Sequence, residues 1–244
     1  MRNVLISGGS KGVGLGVARR LAASGYQAIA IARGESEALA ELMALARADG
    51  QGAVRFVPFD LSQIEAIPEM VRQVRAEFGP LYGLVNNAAL GTDGLLANMH
   101  LSQIEALIRL NTLSPIVLSK HVVRGMMAQG EGRVVNISSI IASTGYSGLS
   151  VYGATKASMV GFTKSLAREV GRLGVTVNAV APGFMDTELT AALGDEQRAQ
   201  VARRAALRRL AQVEDVALAV EFLMGEGGRN VTGTVLTVDA GATA

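Results

Sequence analysis

The stretch "NVLISGGSKGVGLGVARRL", Asn3 to Leu21, decides the fold. A short apolar run breaks at paired glycines and passes directly into a helical pattern, so the segment reads as strand, turn and helix. Two chemistries fit the turn. Gly8, Ser10 and Gly12 spell the G-x-S-x-G of a nucleophile elbow, whereas Gly8, Gly12 and Gly14 form a glycine-rich loop whose backbone N–H groups could cradle a phosphate at a helix N-terminus. The first reading needs an acid and then a histidine further along. The only histidines are His100 and His121, and no strand precedes this one to supply an oxyanion loop. The second asks only for what is present. Gly8 makes the tight turn, Gly12 allows close approach and Gly14 allows close helix packing, although the spacing G-x-x-x-G-x-G departs from the general dinucleotide fingerprint. A glycine-rich helix entry with no ligand stays open beside it.

Outward from this unit the same alternation repeats. "QAIAIA" precedes "SEALAELMALARAD", "AVRFVPF" precedes "SQIEAIPEMVRQVRAEF", and "LYGLVNN" precedes a helical region over 99–128. Then come "GRVVNIS", "GVTVNAVA" and "GTVLTVD", separated by helical stretches around 151–172 and 214–224. Repeated strand and helix predict an α/β fold with a parallel sheet, because parallel neighbours need crossover connections. The nearly continuous apolar character of the strands predicts helices on both faces. No linker or internal repeat divides the chain, so 1–244 is expected to be a single domain.

Composition narrows the function. With 23 basic and 21 acidic side chains the net charge is +2, and aromatic residues make up 4%, which gives no footprint for nucleic acid. There is no cysteine, hence no disulfide, thiolate metal site or thiol nucleophile, and two histidines make a histidine metal cluster improbable. The absence of cysteine fits a cytoplasmic protein. The start "MRNVLISGG" lacks the features of a signal peptide. The longest uncharged stretch, Val134 to Thr155, is rich in Ser, Thr, Gly and Asn and does not read as a membrane span.

A second constellation lies in "VYGATKASMVGFTKSLAREV". Tyr152 and Lys156 stand four apart at the start of a helix and therefore on one face. A free phenol, with a pKa near ~10, is protonated at neutral pH, and a nearby ammonium favours the phenolate. Tyr152 could then serve as general acid toward a carbonyl or general base toward an alcohol. A Tyr/Lys pair on a solvated face is the alternative.

Together these residues resemble the classical short-chain dehydrogenase/reductase family. The likeness spans essentially the whole chain: the "SGGSKGVG" loop, "NNAA" at Asn86 to Ala89, Asn111 in "RLNTLSP", Ser139 in "NISSI", "YGATK", and "NAVAPGFMDT" at Asn178 to Thr187. The tail "VTGTVLTVDAG" and "LAREVGRLGVTVNAVAPGF" are most similar to the 3-oxoacyl-carrier-protein reductases of that family. The resemblance implies a single-domain, doubly wound Rossmann-type fold with seven parallel strands, and a tetrad of Asn111, Ser139, Tyr152 and Lys156. Ser139 would bond the substrate oxygen and Tyr152 transfer the proton. Lys156 would bind the nicotinamide ribose and lower the tyrosine pKa, and Asn111 would hold a water on the proton path. Ser139 is preferred to Ser138 because the family's serine lies thirteen residues before its tyrosine, and Ser138 should point the other way.

The resemblance further implies a dinucleotide site made by Gly8, Ser10, Lys11, Gly12, Val13 and Gly14, with Asp60 and Leu61 beside the adenine and Asn87 and Ala88 beside its ribose. Tyr152, Lys156, Pro182, Gly183, Met185 and Thr187 would complete it. After the second strand the chain reads Ala32 then Arg33, where an acid would select NAD, so NADP(H) is expected ahead of NAD(H); Glu35 argues the other way. Two positions depart from the family pattern: Ala89 stands where Gly is usual, and Ser7 where Thr is common. The expected activity is NADPH-dependent reduction of a carbonyl, foremost the 3-keto group of an acyl thioester, possibly on an acyl carrier protein. A small ketone, sugar or cyclic alcohol is the alternative. A non-catalytic dinucleotide sensor and a serine hydrolase using Ser10 stand further off. A substrate lid is expected at about 184–212. It carries "RAQVARRAALRRL", in which Arg204 and Arg208 would share a helix face toward an acidic carrier or the phosphates of coenzyme A. Arg124, Arg133 and Arg172 could add to that surface. A homotetramer paired through the helices around 99–128 and 151–172 is also implied, with no nucleic-acid or membrane partner.

Overall fold

The computed structural model describes residues 1–49, 52–91, 94–185 and 195–244. Seven strands, β1 (Asn3–Ser7), β2 (Gln27–Ala32), β3 (Ala53–Pro58), β4 (Leu81–Asn86), β5 (Gly132–Ile137), β6 (Val175–Pro182) and β7 (Val235–Val238), form one parallel sheet. Their order is β3-β2-β1-β4-β5-β6-β7. The chain works outward from β1 to β3, then crosses back to β4 and continues outward on the other side. Connections therefore diverge between β1 and β4, which opens a crevice at the carboxyl ends of those strands.

Why these runs are strands is visible in their burial. All residues of β1, β4, β5 and β6 are buried, as both-face coverage demands, while the edge strands β3 and β7 are only partly so. Alternation then divides the core. Val4 and Ile6 of β1 pack with Val135 of β5 against Val17 and Leu21 of α1 (Gly12–Ala23) and Val216 and Val220 of α9 (Val213–Met224). Leu5 faces the opposite layer, with Leu84 and Val134. There it meets Ile67 and Val71 of α3 (Ile67–Phe78) and Leu118 and Val122 of α5 (Ser114–Gln129). Each such side chain, fully buried, contributes about 1.5–3 kcal/mol of transfer free energy. The remaining helices are α2 (Glu37–Asp49), α4 (Leu101–Ile108), the single turn α6 (Ile141–Thr144), α7 (Ser150–Val170) and α8 (Asp195–Arg204).

Two local departures from the pattern matter for the site. The region 99–128 is one helical rod interrupted by a π-turn at Arg109–Leu113, which joins α4 to α5 and turns Asn111 into the interior, 3% exposed. The expectation that Arg204 and Arg208 share a helix face fails. The helix ends at Arg204, and Arg208 adopts φ +52° because the chain leaves to pair Ala206 N–H with Gly241 C=O and Leu207 N–H with Ala240 C=O. Among the described residues, no helix is long and apolar enough to cross a membrane, and no group of three or more His, Asp or Glu is placed to hold a metal ion.

Candidate active site

The glycine loop lies between β1 and α1 at the carboxyl edge of the sheet. Gly8 has φ +67°, and its N–H donates to Ile31 C=O at 2.8 Å, which ties the loop to the end of β2. At Gly14 a Cβ would stand 2.2 Å from Gly8 O, so only glycine lets the first turn of α1 close on the loop. Gly12 differs. It has φ +54° and nothing within 4 Å of where its Cβ would project, so the backbone faces open space at the helix N-terminus. Unpaired N–H groups with that clearance are what a pyrophosphate requires, so the loop fits a dinucleotide. Lys11 occupies the N-cap position of α1 and is exposed, Val13 packs against the core, and Ser10 is partly buried. Ser36 was not singled out by sequence, yet its hydroxyl donates to Ser10 C=O and accepts Leu39 N–H at 3.1 Å, fastening the loop to the head of α2.

Side chains from β1 and β4 brace this loop. Ser7 Oγ accepts the N–H groups of Asn87 (2.9 Å) and Ala88 (3.0 Å), so the serine where threonine is common keeps the hydroxyl in use. Asn87 Nδ2 donates to Ser7 C=O at 3.0 Å and Gly8 C=O at 3.1 Å. Arg33 follows β2 and is exposed. Asp60 accepts Ser62 N–H at 2.9 Å; this hydrogen bonding, with a smaller contribution from the Arg33 charge, holds its carboxyl below the usual range. Leu61 beside it is buried.

The other wall comes from β5 and α7. Ser138 is buried and its hydroxyl donates to the backbone C=O of Lys156 at 2.9 Å, whereas Ser139 Oγ accepts Ile141 N–H at 3.2 Å and lies near enough to the Tyr152 phenol to favour its ionisation. Successive side chains thus diverge, one fixing the helix and one reaching the phenol. Lys156, 5% exposed, returns from α7 to donate from Nζ to Ile137 C=O at 2.9 Å, and Nζ stands 5.6 Å from the centroid of the Tyr152 ring. Burial brings the lysine down to about 8. Burial also pushes the Tyr152 phenol up, with the nearby Ser139 hydroxyl pulling partly back. In the protein alone, then, the depression expected of this phenol is absent. Burial penalises phenolate and ammonium alike.

Asn111 joins three elements. Its Oδ1 accepts Leu90 N–H at 2.8 Å, and Nδ2 donates to Leu90 C=O at 2.9 Å and Thr155 Oγ1 at 3.2 Å. Both amide protons are therefore used within the protein, and Thr155 Oγ1 in turn donates to Tyr152 C=O at 2.7 Å. A deeper line runs parallel to it. Asn86 Nδ2 donates to Asn136 Oδ1 at 2.8 Å, and Asn136 Nδ2 to Thr163 Oγ1 at 2.8 Å, linking β4, β5 and α7 through buried groups. Sequence reading missed Thr155, Asn136 and Thr163; small polar residues inside an apolar strand or helix were the available sign.

Pro182 C=O accepts Ile140 N–H at 3.0 Å, and Gly183 N–H donates to Val238 C=O at 2.9 Å, where a Cβ would meet Asp239 Cβ at 2.7 Å. Met185 packs on the edge of the core and bridges to Ala211; Thr187 and the first part of the expected lid lie outside the described residues. Beside Ser139 opens a pocket of about 320 Å³ walled by Ile140, Ile141, Tyr146, Phe184 and Val201, with Arg204 also lining it. One further expectation is corrected: Arg133 is 8% exposed, lies over the Tyr82 ring and cannot take part in a basic surface. It shares strand parity with core residues Val135 and Ile137. The histidines stand apart from Ser10, with His100 capping α4 and His121 on α5.

Residues 8–243 match the family model described as enoyl-(acyl carrier protein) reductase. The 3-oxoacyl-(acyl-carrier-protein) reductase FabG of Escherichia coli (strain K12) is 40% identical over 237 residues, covering 97% of this chain and 95% of the relative. FabG of Pseudomonas aeruginosa is 37% identical over 239 residues, covering 97% and 95%. Among solved structures, a short chain dehydrogenase from Burkholderia cenocepacia J2315 in complex with NADP superposes with a TM-score of 0.90 at 34% identity, covering 100% of this chain and 98% of that one. A gluconate 5-dehydrogenase from the same organism, in complex with NADP and tartrate, gives a TM-score of 0.93 at 30% identity, covering 99% and 95%.

Proposed function

The chain belongs to the short-chain dehydrogenase/reductase family and is an oxidoreductase, and from that premise we propose that it reduces a carbonyl with NADPH, its substrate being the 3-keto group of an acyl thioester. The observation that carries this reading is the convergence of Ser139, Tyr152 and Lys156 at the head of α7, across the crevice from a glycine loop with free helix N–H groups. Gly8, Gly12 and Gly14 would receive the pyrophosphate. Arg33 would meet the 2′-phosphate with its fork of donors, and Lys156 the nicotinamide ribose. When bound, the dihydronicotinamide supplies a hydride to the carbonyl carbon.

The chain's own residues supply the rest. Ser139 donates a hydrogen bond to the carbonyl oxygen and draws it toward Tyr152, whose phenolic proton passes to that oxygen as the C–O bond gains charge. A phenol held up by burial is protonated at neutral pH and ready to give that proton in the reductive direction. Lys156, carrying positive charge below about pH 8, stabilises the phenolate left behind. Asn111 and Thr155 set the register of Tyr152 through its backbone carbonyl. The apolar walls of Ile140, Ile141 and Phe184 suit an acyl chain. A small hydroxylated ketone is the second reading, supported by the compactness of that pocket and by the likeness to the gluconate 5-dehydrogenase.

The test is the oxidation of NADPH and, separately, NADH with an acetoacetyl thioester on coenzyme A and on an acyl carrier protein. Turnover with NADPH at least ten-fold above NADH is expected, together with a shift toward NADH in Arg33→Asp. Absence of turnover on both thioesters would remove the acyl assignment and direct the search to small ketones.

A further inference from the structure

Between α3 and α5 lies a groove of about 510 Å³. It sits at the opposite end of the sheet from the active site, where α3 leads into the start of β4 and α5 into the start of β5. Pro68, Ala76 and Pro80 contribute exposed apolar surface, and Arg72, Arg75, His121 and Arg124 surround it. The three arginines are not equivalent. Arg72 is satisfied by Glu69, which accepts from Nε at 2.8 Å and from Nη2 at 2.6 Å. The guanidiniums of Arg75 and Arg124 make no hydrogen bond or ion pair with any described residue. Arg75 is nonetheless seated. Its guanidinium lies on α5 at Gly125, where a Cβ would meet Cζ, Nη1 and Nη2 at 3.3, 3.4 and 3.5 Å. Such nearly equal distances mean that the planar group rests flat on the glycine, so its in-plane N–H donors run along the helix surface and not into it.

We propose that this groove binds a small organic phosphate, at a site separate from the dinucleotide site. A phosphate monoester carries about −1.5 to −2 at neutral pH and so matches two unpaired guanidiniums, whose fork geometry fits phosphate oxygens. The apolar surface between them takes the organic body, and the volume falls within the range of about 300–1,000 Å³ usual for ligand sites. Gly125 gives Arg75 its seat: a Cβ there would stand 3.3 Å from Cζ and press the guanidinium outward by a few tenths of an ångström, and a branched side chain would press it further.

Calorimetric titration of the whole protein with phenyl phosphate, with and without NADP⁺, tests this. The expected result is one site per chain whose affinity is indifferent to NADP⁺, at least ten-fold weaker in Arg75→Ala and in Arg124→Ala, and weaker in Gly125→Val, with each variant's fold checked by circular dichroism. Arg75→Lys, which keeps the charge and loses the fork, should fall between. Inorganic phosphate should bind several-fold more weakly than phenyl phosphate. No binding, competition with NADP⁺, or affinity unchanged in both alanine variants would overturn the proposal. So would equal binding of benzoate, or a change in oligomeric mass in Arg75→Ala without phenyl phosphate binding, which would make the groove a contact between copies of the chain.

Discussion

The two walls of the crevice are built by opposite means. On the β1 side the working surface is made of missing side chains: Gly8, Gly12 and Gly14 leave room for backbone to turn, to face outward and to pack on itself. On the β5 and α7 side it is made of side chains, and nearly every one is held by another. Ser138 donates to the backbone of Lys156, whose Nζ returns to Ile137 C=O, and Asn111 and Thr155 fix the carbonyl of Tyr152. The difference teaches that an anion can be held by clearance and backbone alone, while a proton donor needs its position determined from several directions.

The comparison breaks most decisively at Tyr152. Replacement by Phe should leave the dinucleotide wall untouched, so turnover falls by about a hundred- to ten-thousand-fold while dinucleotide affinity stays within about two-fold. Steady-state rates set beside direct cofactor titration decide it, and preserved turnover would assign proton transfer elsewhere. On the glycine wall, Gly14→Ala and Gly12→Ala should part company. At Gly14 the added methyl meets Gly8 O at 2.2 Å, and overpacking should cost about 1–3 kcal/mol of stability. At Gly12 the space is open. The strain of φ +54° should cost less than that, and the visible loss should be in dinucleotide affinity. Denaturation midpoints and binding constants for the two variants, if they moved together, would refute the separation of packing from approach.

The smallest effect concerns charge within the side-chain wall. Lys156 titrates at about 8, below its unfolded value of ~10.4, so between those values the unfolded chain binds more protons than the native one. Its contribution to stability is therefore complete above the unfolded value and lost as pH falls through about 8. Lys156→Met, which removes the buried charge, should be more favourable relative to the natural chain near pH 7 than near pH 10. Denaturant midpoints across that window check the sign, and a constant difference would contradict it.

Much of this was legible in the sequence because it is written locally. Strand, turn and helix in Asn3–Leu21, the pairing of Tyr152 with Lys156 one turn apart, and the divergence of Ser138 from Ser139 all follow from spacing within a few residues. What escaped depends on contacts between distant segments. Ser36 bracing Ser10, Thr155 receiving Asn111, and the line from Asn86 through Asn136 to Thr163 have no periodicity to announce them. Arg133 misled for a related reason: beside a loop, an arginine reads as solvated, and only the strand parity with Val135 and Ile137 places it inward. Arg208 was misplaced because a helical pattern gives no sign of the backbone pairing with Ala240 and Gly241 that ends the helix.

The central position of β1 has a bearing on how the molecule is made. Its first residue pairs on one side with Gln27 and on the other with Leu81, so this strand, the earliest of the seven in chain order, must hold one edge open until a partner some eighty residues later has emerged. A nucleus drawn from β1, α1 and β2 can form from near neighbours, but joining it to β4 closes a long loop at an entropic cost that grows with the logarithm of its length. Sheets ordered in this way fold at rates limited by that distant pairing. Until it occurs, Val4, Leu5 and Ile6 line an exposed apolar edge, the part of the nascent chain most in need of shelter from other chains.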